Sequence, residues 1–173
     1  MALYKKIITS IVTLTLIACE RKIFATAEIK PINNSGVSGK AVFKKVKEGV
    51  QLKLSIKGKG NTRIAAHIHE GNECDDIDGK KALGHWNPTE EAHGYWGKEE
   101  FHSGDLGNIT IDKNGVGKHN MTDTLGRWTI GGATRTNITN RTIIIHSEAD
   151  DGITQPSGAA GARVGCGSIT ERK

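Results

Sequence analysis

The sequence lacks several features that would indicate a helical, membrane-spanning or nucleic-acid-binding protein. It shows little helical periodicity, no internal repeat and no low-complexity run. Aromatic residues make up only 5% of the chain and are not interleaved with a clustered basic stripe, which argues against nucleic acid as a partner. The apolar stretch at residues 7–18 is short for a membrane span.

What the sequence does contain favours one turn-rich β domain. The chain has 173 residues, which suits a single domain, and 22 of them are glycine, alongside several β-branched runs. The formal net charge is +5, and removal of residues 1–18, with their two lysines and no acidic residue, lowers it to +3. A weak positive balance suits a small anionic substrate if the charge lies near its site.

The N-terminus is typical of a secretory signal, because Lys5 and Lys6 precede the apolar stretch. The segment "LIAC" resembles the lipobox of bacterial lipoproteins, in which the cysteine, here Cys19, is diacylated and becomes the mature N-terminus. We therefore expect a lipoprotein signal over residues 1–18 and a lipidated, poorly ordered tether over 19–35. An ordinary signal cut later, near "FATA", is the alternative.

The remaining chain, residues 36–173, predicts an antiparallel sandwich or barrel. In "GKAVFKKVKEGVQLKLSIKGKG" the apolar residues alternate and "EG" at 48–49 supplies a turn, which predicts a hairpin. Further strands are predicted in "IAAHIHE", on both sides of the turn at 113–115, in "RTIIIH" and in "ARVGCGSIT". Two long polar, glycine-rich stretches, at about 71–105 and 147–162, are predicted to be functional loops.

The cysteines indicate one disulfide. If Cys19 carries lipid, Cys74 and Cys166 remain, and an exported pair favours a bridge over two buried thiols. The bridge would close a loop of about 90 residues and contribute about 4 to 5 kcal/mol in the chain-entropy model.

Six of the seven histidines fall in three groups. His67 and His69 are two apart in a strand pattern, so both point to one face, about 6 to 7 Å apart. His146 ends another strand and is predicted to approach from a neighbouring position. The loop "GHWNPTEEAHGYWGKEEFHSGD" supplies the rest, namely His85, His93, His102 and Asp105. The seventh, His119, is assigned no role.

These groups match the preferences of two metals. A set made only of imidazoles suits copper, whereas three imidazoles with one carboxylate suit tetrahedral zinc. One histidine could serve both ions if each of its ring nitrogens binds one of them. The alternative is that individual histidines are satisfied surface or core residues.

The motifs "HIHE", "GHWNP", "AHGYWGKEEFHSGDLGN", "IIIHSEADD" and "GAAGARVGCG" resemble the copper–zinc superoxide dismutases over about residues 36–170. The gaps of 8, 9 and 3 residues along His85, His93, His102 and Asp105 are part of that resemblance. The resemblance implies an all-β, eight-stranded Greek-key β-barrel with an immunoglobulin-like sandwich arrangement and two long functional loops.

The resemblance also implies the site. Copper would be held by His67, His69, His85 and His146, and zinc by His85, His93, His102 and Asp105, one ion of each per chain. Asp150 would hydrogen-bond a histidine of each set and fix ring orientation. Arg163 would attract and orient superoxide, Ser157 would narrow the channel, and Cys74 and Cys166 would form the family's disulfide.

The implied function is superoxide disproportionation to dioxygen and hydrogen peroxide as copper alternates between Cu(II) and Cu(I). In the family, His85 is thought to leave copper on reduction and to take up a proton, so it joins Arg163 as a catalytic residue. The expected location is the periplasm or cell envelope, with protection against extracytoplasmic superoxide and membrane contact only through the lipid. Dimer surfaces differ among family branches, so a homodimer is left open.

Three departures from the family pattern stand out. Residues Ile64, Ala65 and Ala66 replace a His-Gly-Phe run, Ala159 replaces an asparagine, and the stretch from His146 to Arg163 is short and lacks the usual charged steering residues. A non-enzymatic metal binder is the main alternative, but such relatives usually lose ligands that are all present here. A structural adhesion domain has no need for six placed histidines.

Overall fold

The computed structural model describes residues 24–172, and its regular structure is almost entirely antiparallel β-sheet. The strands are β1 (Phe24–Pro31), β2 (Ser38–Val46), β3 (Gly49–Lys57), β4 (Thr62–His69), β5 (Asp105–Ile111), β6 (Val116–Asp123), β7 (Thr142–His146), β8 (Arg163–Ser168) and β9 (Thr170–Arg172). Within this range the single helical element is a 3₁₀ turn at Lys80–Ala82. None of the helical structure in residues 24–172 is long enough to cross a membrane.

The strands close into the predicted eight-stranded Greek-key barrel. Their order around the ring is β1, β2, β3, β6, β5, β4, β7 and β8, and β8 pairs with β1 to complete it. Strand β9 follows β8 after one residue and continues along β1, so the two act as one barrel strand. The chain crosses the barrel twice, from β3 to β4 and from β6 to β7, which gives the Greek-key connection.

The predicted hairpin is confirmed, and its alternation explains why it forms. Strands β2 and β3 pair from Ser38 opposite Lys57 to Val46 opposite Gly49. The apolar side chains of β3 point into the barrel, where they join Phe43. Those side chains are the alternating apolar residues Val50, Leu52, Leu54 and Ile56. Since the side-chain period of a strand is two, this pattern determines the register.

The predicted tether over residues 19–35 is wrong for residues 24–31, which form β1. Ala25, Ala27 and Ile29 are buried in the core, and the backbone pairs with β2 along six residues. The alternation of small apolar residues in "FATAEIKP" supplies an inward face, and without β1 the ring would be open. Residues 19–23, the signal at 1–18 and the lipidation site Cys19 lie outside the described residues.

A second, smaller apolar cluster lies on the outside of the barrel. Strand β7 sends Ile143 and Ile145 inward but Ile144 outward, against Ile32 and Ala82. This two-sided burial explains why the strand is apolar along its whole length. Cys166 belongs to the same cluster and forms the predicted disulfide with Cys74, with the two Cα atoms 5.7 Å apart.

Candidate metal centre

Two neighbouring strands place the first three histidines. His67 and His69 end β4, and His146 ends β7, which pairs with β4. The register shifts at Ala66/His67 in the pairing of β4 with β5, and at Ile145/His146 in the pairing of β7 with β8. Bulges of this kind turn side chains away from regular alternation, and here they lie beside the histidines. The outer surface of the barrel therefore presents three imidazoles together.

The long stretch between β4 and β5 folds back onto β4 and delivers the fourth histidine. The backbone N–H of Trp86 donates to the Ile68 carbonyl at 2.9 Å, and His85 forms an isolated bridge with His69. Ile68 in turn donates to the Gly104 carbonyl at 2.8 Å. A side chain at Gly104 would collide with the Ile68 carbonyl, so this close approach requires glycine.

The first predicted set, His67, His69, His85 and His146, comes together with ligand atoms all within 4.8 Å of one another. His69 is held through Nδ1 by the Leu83 carbonyl at 2.9 Å, which leaves Nε2 facing His146 Nε2 at 3.4 Å. The buried atoms His67 Nδ1 and His85 Nε2 have no hydrogen-bond partner within residues 24–172. Four nitrogens that converge, two of them without partners, fit one bound copper ion.

The second predicted set, His85, His93, His102 and Asp105, converges in the same way. Asp105 Oδ1 lies 2.9 Å from His85 Nδ1 and 3.2 Å from His102 Nδ1, and its Oδ2 lies 3.1 Å from His93 Nδ1. His93 Nδ1 is buried and has no hydrogen bond of good geometry in the described residues. Three imidazoles and one carboxylate fit zinc, and His85 offers a different nitrogen to each set.

Asp150 connects the two sets, as the resemblance implied. His67 donates from Nε2 to Asp150 Oδ2 at 2.8 Å, and His93 donates from Nε2 to Asp150 Oδ1 at 3.0 Å. Both rings therefore direct their Nδ1 atoms at the candidate ions. Gly158 makes this contact sterically feasible, since a Cβ there would lie 2.1 Å from Asp150 Oδ1 and 2.6 Å from His93 Nε2.

The protonation states suit metal ligands. Burial, together with neighbouring His85 or His67, holds the pKa values of His69 and His146 well below the usual histidine range. Burial also lowers the pKa of His85 to about 4, so all three rings are neutral near pH 7. Burial opposes the charge on His93, yet hydrogen bonds to Asp105 and Asp150 raise its pKa to about 9. Metal binding at His93 would therefore release a proton.

An open cleft of about 480 Å³ leads to the first set. Its lining includes Arg163, predicted to orient superoxide, and Ser157, predicted to narrow the channel. His69, His85 and His146 line the same cleft. Arg163 stands opposite His146 in the β7–β8 pairing, and its guanidinium donates to the carbonyls of Gly79 and Leu83. Burial lowers the pKa of Arg163 from its very high ordinary value, and the group keeps its positive charge.

Several supporting residues were missed by sequence reasoning. Leu83 shares its carbonyl between His69 and Arg163 and has a positive φ of 62°, a backbone state that its side chain does not reveal. Asn108 clamps the Asp150 backbone through two hydrogen bonds of 2.7 and 2.8 Å. Gln155 makes the same kind of two-point contact with the His93 backbone, at 2.8 and 3.0 Å. Only Asn108 lay within a quoted motif.

The connection between β6 and β7 was also missed as a structural part of the site. Its Arg127 forms a two-pronged ion pair with Glu91 at 2.6 and 2.9 Å. Trp128 donates from its indole to the Ser103 carbonyl at 2.7 Å. Glu91 lies two residues before His93, and Ser103 directly follows His102. The connection between β6 and β7 therefore supports the loop that carries these two histidines.

Two of the sequence departures have clear structural consequences. Ile64, Ala65 and Ala66 are all buried, and Ala65 donates from its backbone to the Glu148 carbonyl at 2.8 Å, so the altered run still packs. Ala159 has a φ of 51°, a left-handed conformation that alanine disfavours and asparagine tolerates. The change at that position therefore costs some loop stability.

Comparison with known proteins agrees with this geometry. The family model described as "Copper/zinc superoxide dismutase (SODC)" matches residues 37–169. "Superoxide dismutase [Cu-Zn] 2" of Aquifex aeolicus (strain VF5) is 38% identical over 83% of this chain and 85% of its own. The "Superoxide dismutase [Cu-Zn]" of Caulobacter vibrioides is 33% identical over 84% of both chains.

A solved structure shows the same fold. "Crystal Structure Analysis of the clock protein EA4" matches with a TM-score of 0.74 and 27% identity, over 85% of this chain and 93% of that one. Fold and site together define a β-barrel protein with two adjoining histidine-rich clusters that could each hold a metal ion. The chain belongs to the copper/zinc superoxide dismutase family.

Proposed function

We propose that this copper–zinc superoxide dismutase acts in the cleft beside His146, with the two histidine sets as its metal ligands. Superoxide dismutase activity, with one copper and one zinc per chain, follows from membership of the family. The residue assignments are our own proposal. The observation that carries them is that two four-residue sets meet in one shared ring, His85, with all ligand atoms of each set within 4.8 Å.

The copper set would consist of His67 Nδ1 and the Nε2 atoms of His69, His85 and His146. Hydrogen bonds to the other nitrogens of His67 and His69 support this choice of atoms. The zinc set would consist of one Asp105 oxygen and the Nδ1 atoms of His85, His93 and His102. Bound copper supplies a one-electron cycle between Cu(II) and Cu(I), whereas zinc keeps one charge state and orders the loop.

The chain's own part in the reaction is to bind the anion, exclude larger molecules and hold a proton. Arg163 carries the positive charge in the cleft and is fixed by two backbone carbonyls, so its guanidinium can orient superoxide beside His146. Ser157 and Pro156 line the same cleft and narrow it. His85 Nε2 is a buried nitrogen that can hold a proton at the inner end of the cleft.

We also propose export to the periplasm or cell envelope, with lipidation of Cys19 and protection against superoxide from outside the cytoplasm. The support is the basic and apolar segment before "LIAC" and the disulfide, which suits an oxidising compartment. Mass spectrometry of the mature N-terminus tests the lipid. A homodimer stays a prediction, which light scattering of the purified protein tests.

The test of the site uses His146→Ala, with His119→Gln as a matched histidine control. His119 lies on β6, away from both sets. We expect His146→Ala to keep the fold and zinc but to lose copper and superoxide turnover. The control should hold one copper and one zinc and turn over normally. Full copper content in His146→Ala would remove that residue from the site. A fully metallated wild type without turnover would instead indicate a non-enzymatic metal binder.

A further inference from the structure

Lysine residues are distributed unevenly over the barrel. Strands β2, β3 and β6, which are neighbours in the ring, contain six lysines and a single acidic residue, Asp123, which is buried. Strands β4, β5, β7 and β8 contain no lysine. Those four strands carry two arginines, Arg63 and Arg163, and one acid, Asp105. The strand lysines are therefore concentrated on one side of the molecule, although the sequence shows no basic run.

Five of these lysines share one outer surface, which we call the lysine face. They alternate with buried core residues, so they point away from the barrel, and all five are exposed. In the register of the three strands, Lys53 on β3 lies opposite Val42 on β2 and Asn120 on β6, so their outward side chains form one continuous surface. No acidic residue of these three strands lies on that surface. The members are Lys40, Lys44, Lys53, Lys57 and Lys118. Glu28, on the neighbouring strand β1, pairs with Lys40 at 2.6 Å.

The lysine face lies across the barrel from the metal sites. In a ring of eight strands, the strand four places away is diametrically opposite. Counting around the ring puts β2 opposite β4 and β3 opposite β7. Strands β4 and β7 carry His67, His69 and His146, so the cleft opens on the opposite side of the molecule from the lysines. The lysine face is therefore not part of the cleft that leads to the first histidine set.

The first described strand begins beside the same face. Strand β1 begins at Phe24, which lies opposite Lys44 in the β1–β2 pairing. Phe24 lies five positions after Cys19, so an extended chain between them spans at most about 18 Å. If Cys19 is lipidated, as proposed above, the lysine face is held close to the membrane surface. This closeness to the membrane rests on the proposed lipidation, whereas the concentration of lysines does not.

We propose that the lysine face docks onto a bilayer that contains anionic phospholipids, with the active-site cleft directed into the aqueous compartment. Lysine ammonium groups interact with anionic headgroups and strengthen the attachment that a lipid anchor provides. A second copy of the chain is a poor occupant, because a symmetric contact would place five lysines against five. The face also has none of the aromatic side chains on which nucleic acid bases would stack.

The test uses the metal-loaded chain from residue 20 onward, which carries no lipid and contains the whole closed barrel. It is sedimented with vesicles of phosphatidylcholine, with or without about one-third phosphatidylglycerol. We expect binding only to the anionic vesicles, and weaker binding in high salt. The triple variant Lys44→Gln, Lys53→Gln, Lys57→Gln should bind about 100-fold more weakly. A triple control, Lys80→Gln, Lys98→Gln, Arg135→Gln, removes the same charge from exposed loops and should bind nearly as wild type.

Acylation of lysines, read by mass spectrometry, checks the orientation. Anionic vesicles should protect Lys44, Lys53 and Lys57 and leave Lys80 and Lys98 reactive. Equal weakening of both triple variants, equal binding to neutral vesicles, or tighter binding to duplex DNA than to vesicles would overturn the proposal. The protein in this test carries no lipid. Failure to bind vesicles would therefore overturn the docking proposal alone, whereas a mature N-terminus without lipid would overturn only the proposed lipidation.

Discussion

Asp150 hydrogen-bonds one ring of each metal set through its two carboxylate oxygens. Its two oxygens accept from His67 and His93 and thereby determine which ring nitrogen each histidine turns to its metal. An asparagine has only one accepting atom, so one ring would lose its partner and its tautomer would no longer be held.

We expect Asp150→Asn to lower zinc affinity by about 10- to 100-fold, as measured by competition with a chromogenic chelator. Asp151→Asn is the matched control, because Asp151 is exposed and caps its own loop at Thr154 without contact to either ring. Equal zinc affinity in Asp150→Asn and wild type would mean that the rings are oriented by the backbone alone.

Arg163 is expected to affect rate and not metal content. Its charge lies in the cleft, so Arg163→Ala should keep both metals and lower kcat/KM about tenfold at low salt. The salt dependence should become flatter, because the nearest cation has been removed. Arg163→Lys should recover part of the rate, since it restores charge without the two-carbonyl attachment. Pulse radiolysis over a range of ionic strength measures both effects, and an unaltered rate in Arg163→Ala would contradict the role.

At the scale of elements, the two long loops depend on each other. Gln155, in the loop between β7 and β8, accepts from the His93 N–H at 2.8 Å and donates to the His93 carbonyl at 3.0 Å. This contact joins that loop to the stretch between β4 and β5. His93 is thus positioned by its backbone as well as by Asp150.

We expect Gln155→Ala to weaken zinc binding about tenfold and to change the absorption spectrum of Co(II) placed in the zinc site. Gln155→Glu keeps the acceptor but sets a carboxylate against the His93 carbonyl, so it should fall between Gln155→Ala and wild type. Ile153→Ala is the control, as Ile153 is 78% exposed on the same loop. If the cobalt spectrum and the zinc affinity are the same in all four proteins, the clamp has no positioning role.

Element by element, prediction succeeded where the pattern was local. The hairpin of β2 and β3 was predicted because apolar residues alternate strictly in its second half and a glycine marks the turn. Strand β1 was missed, although it also alternates, because its inward residues at 25 and 27 are small alanines with little apolar signal. The stretch at 124–141 was missed because its contacts, such as Arg127 with Glu91, join distant segments.

At the scale of the whole molecule, the disulfide links the barrel to the loop that supports the cleft. Cys166 lies on β8, and Cys74 precedes Gly79 and Leu83, whose carbonyls hold Arg163. The two cysteines are 92 residues apart in sequence, so the chain-entropy model assigns the bridge about 4 to 5 kcal/mol.

We expect the pair Cys74→Ser, Cys166→Ser to lower the free energy of unfolding by about 4 kcal/mol in urea titration. Turnover should also fall, because Gly79 and Leu83 would no longer be anchored beneath Arg163. Both proteins are compared in the form that begins at residue 20, so that neither carries the proposed lipid and Cys74 and Cys166 are the only cysteines that differ. An unchanged urea midpoint in the double variant would contradict a stabilising role for the disulfide.

The sequence by itself determined the β class, the hairpin, the two functional loops and the identity of the candidate ligands. The first three follow from period-two alternation and glycine-rich composition, which are local properties of the chain, and the ligands follow from the resemblance of its motifs to the copper–zinc superoxide dismutases. Only the tertiary structure decided that β1 closes the barrel, which nitrogen each ring presents, and that Leu83, Gly158 and Gln155 support the site. Those features depend on hydrogen bonds and close approaches between distant segments, which no local pattern records.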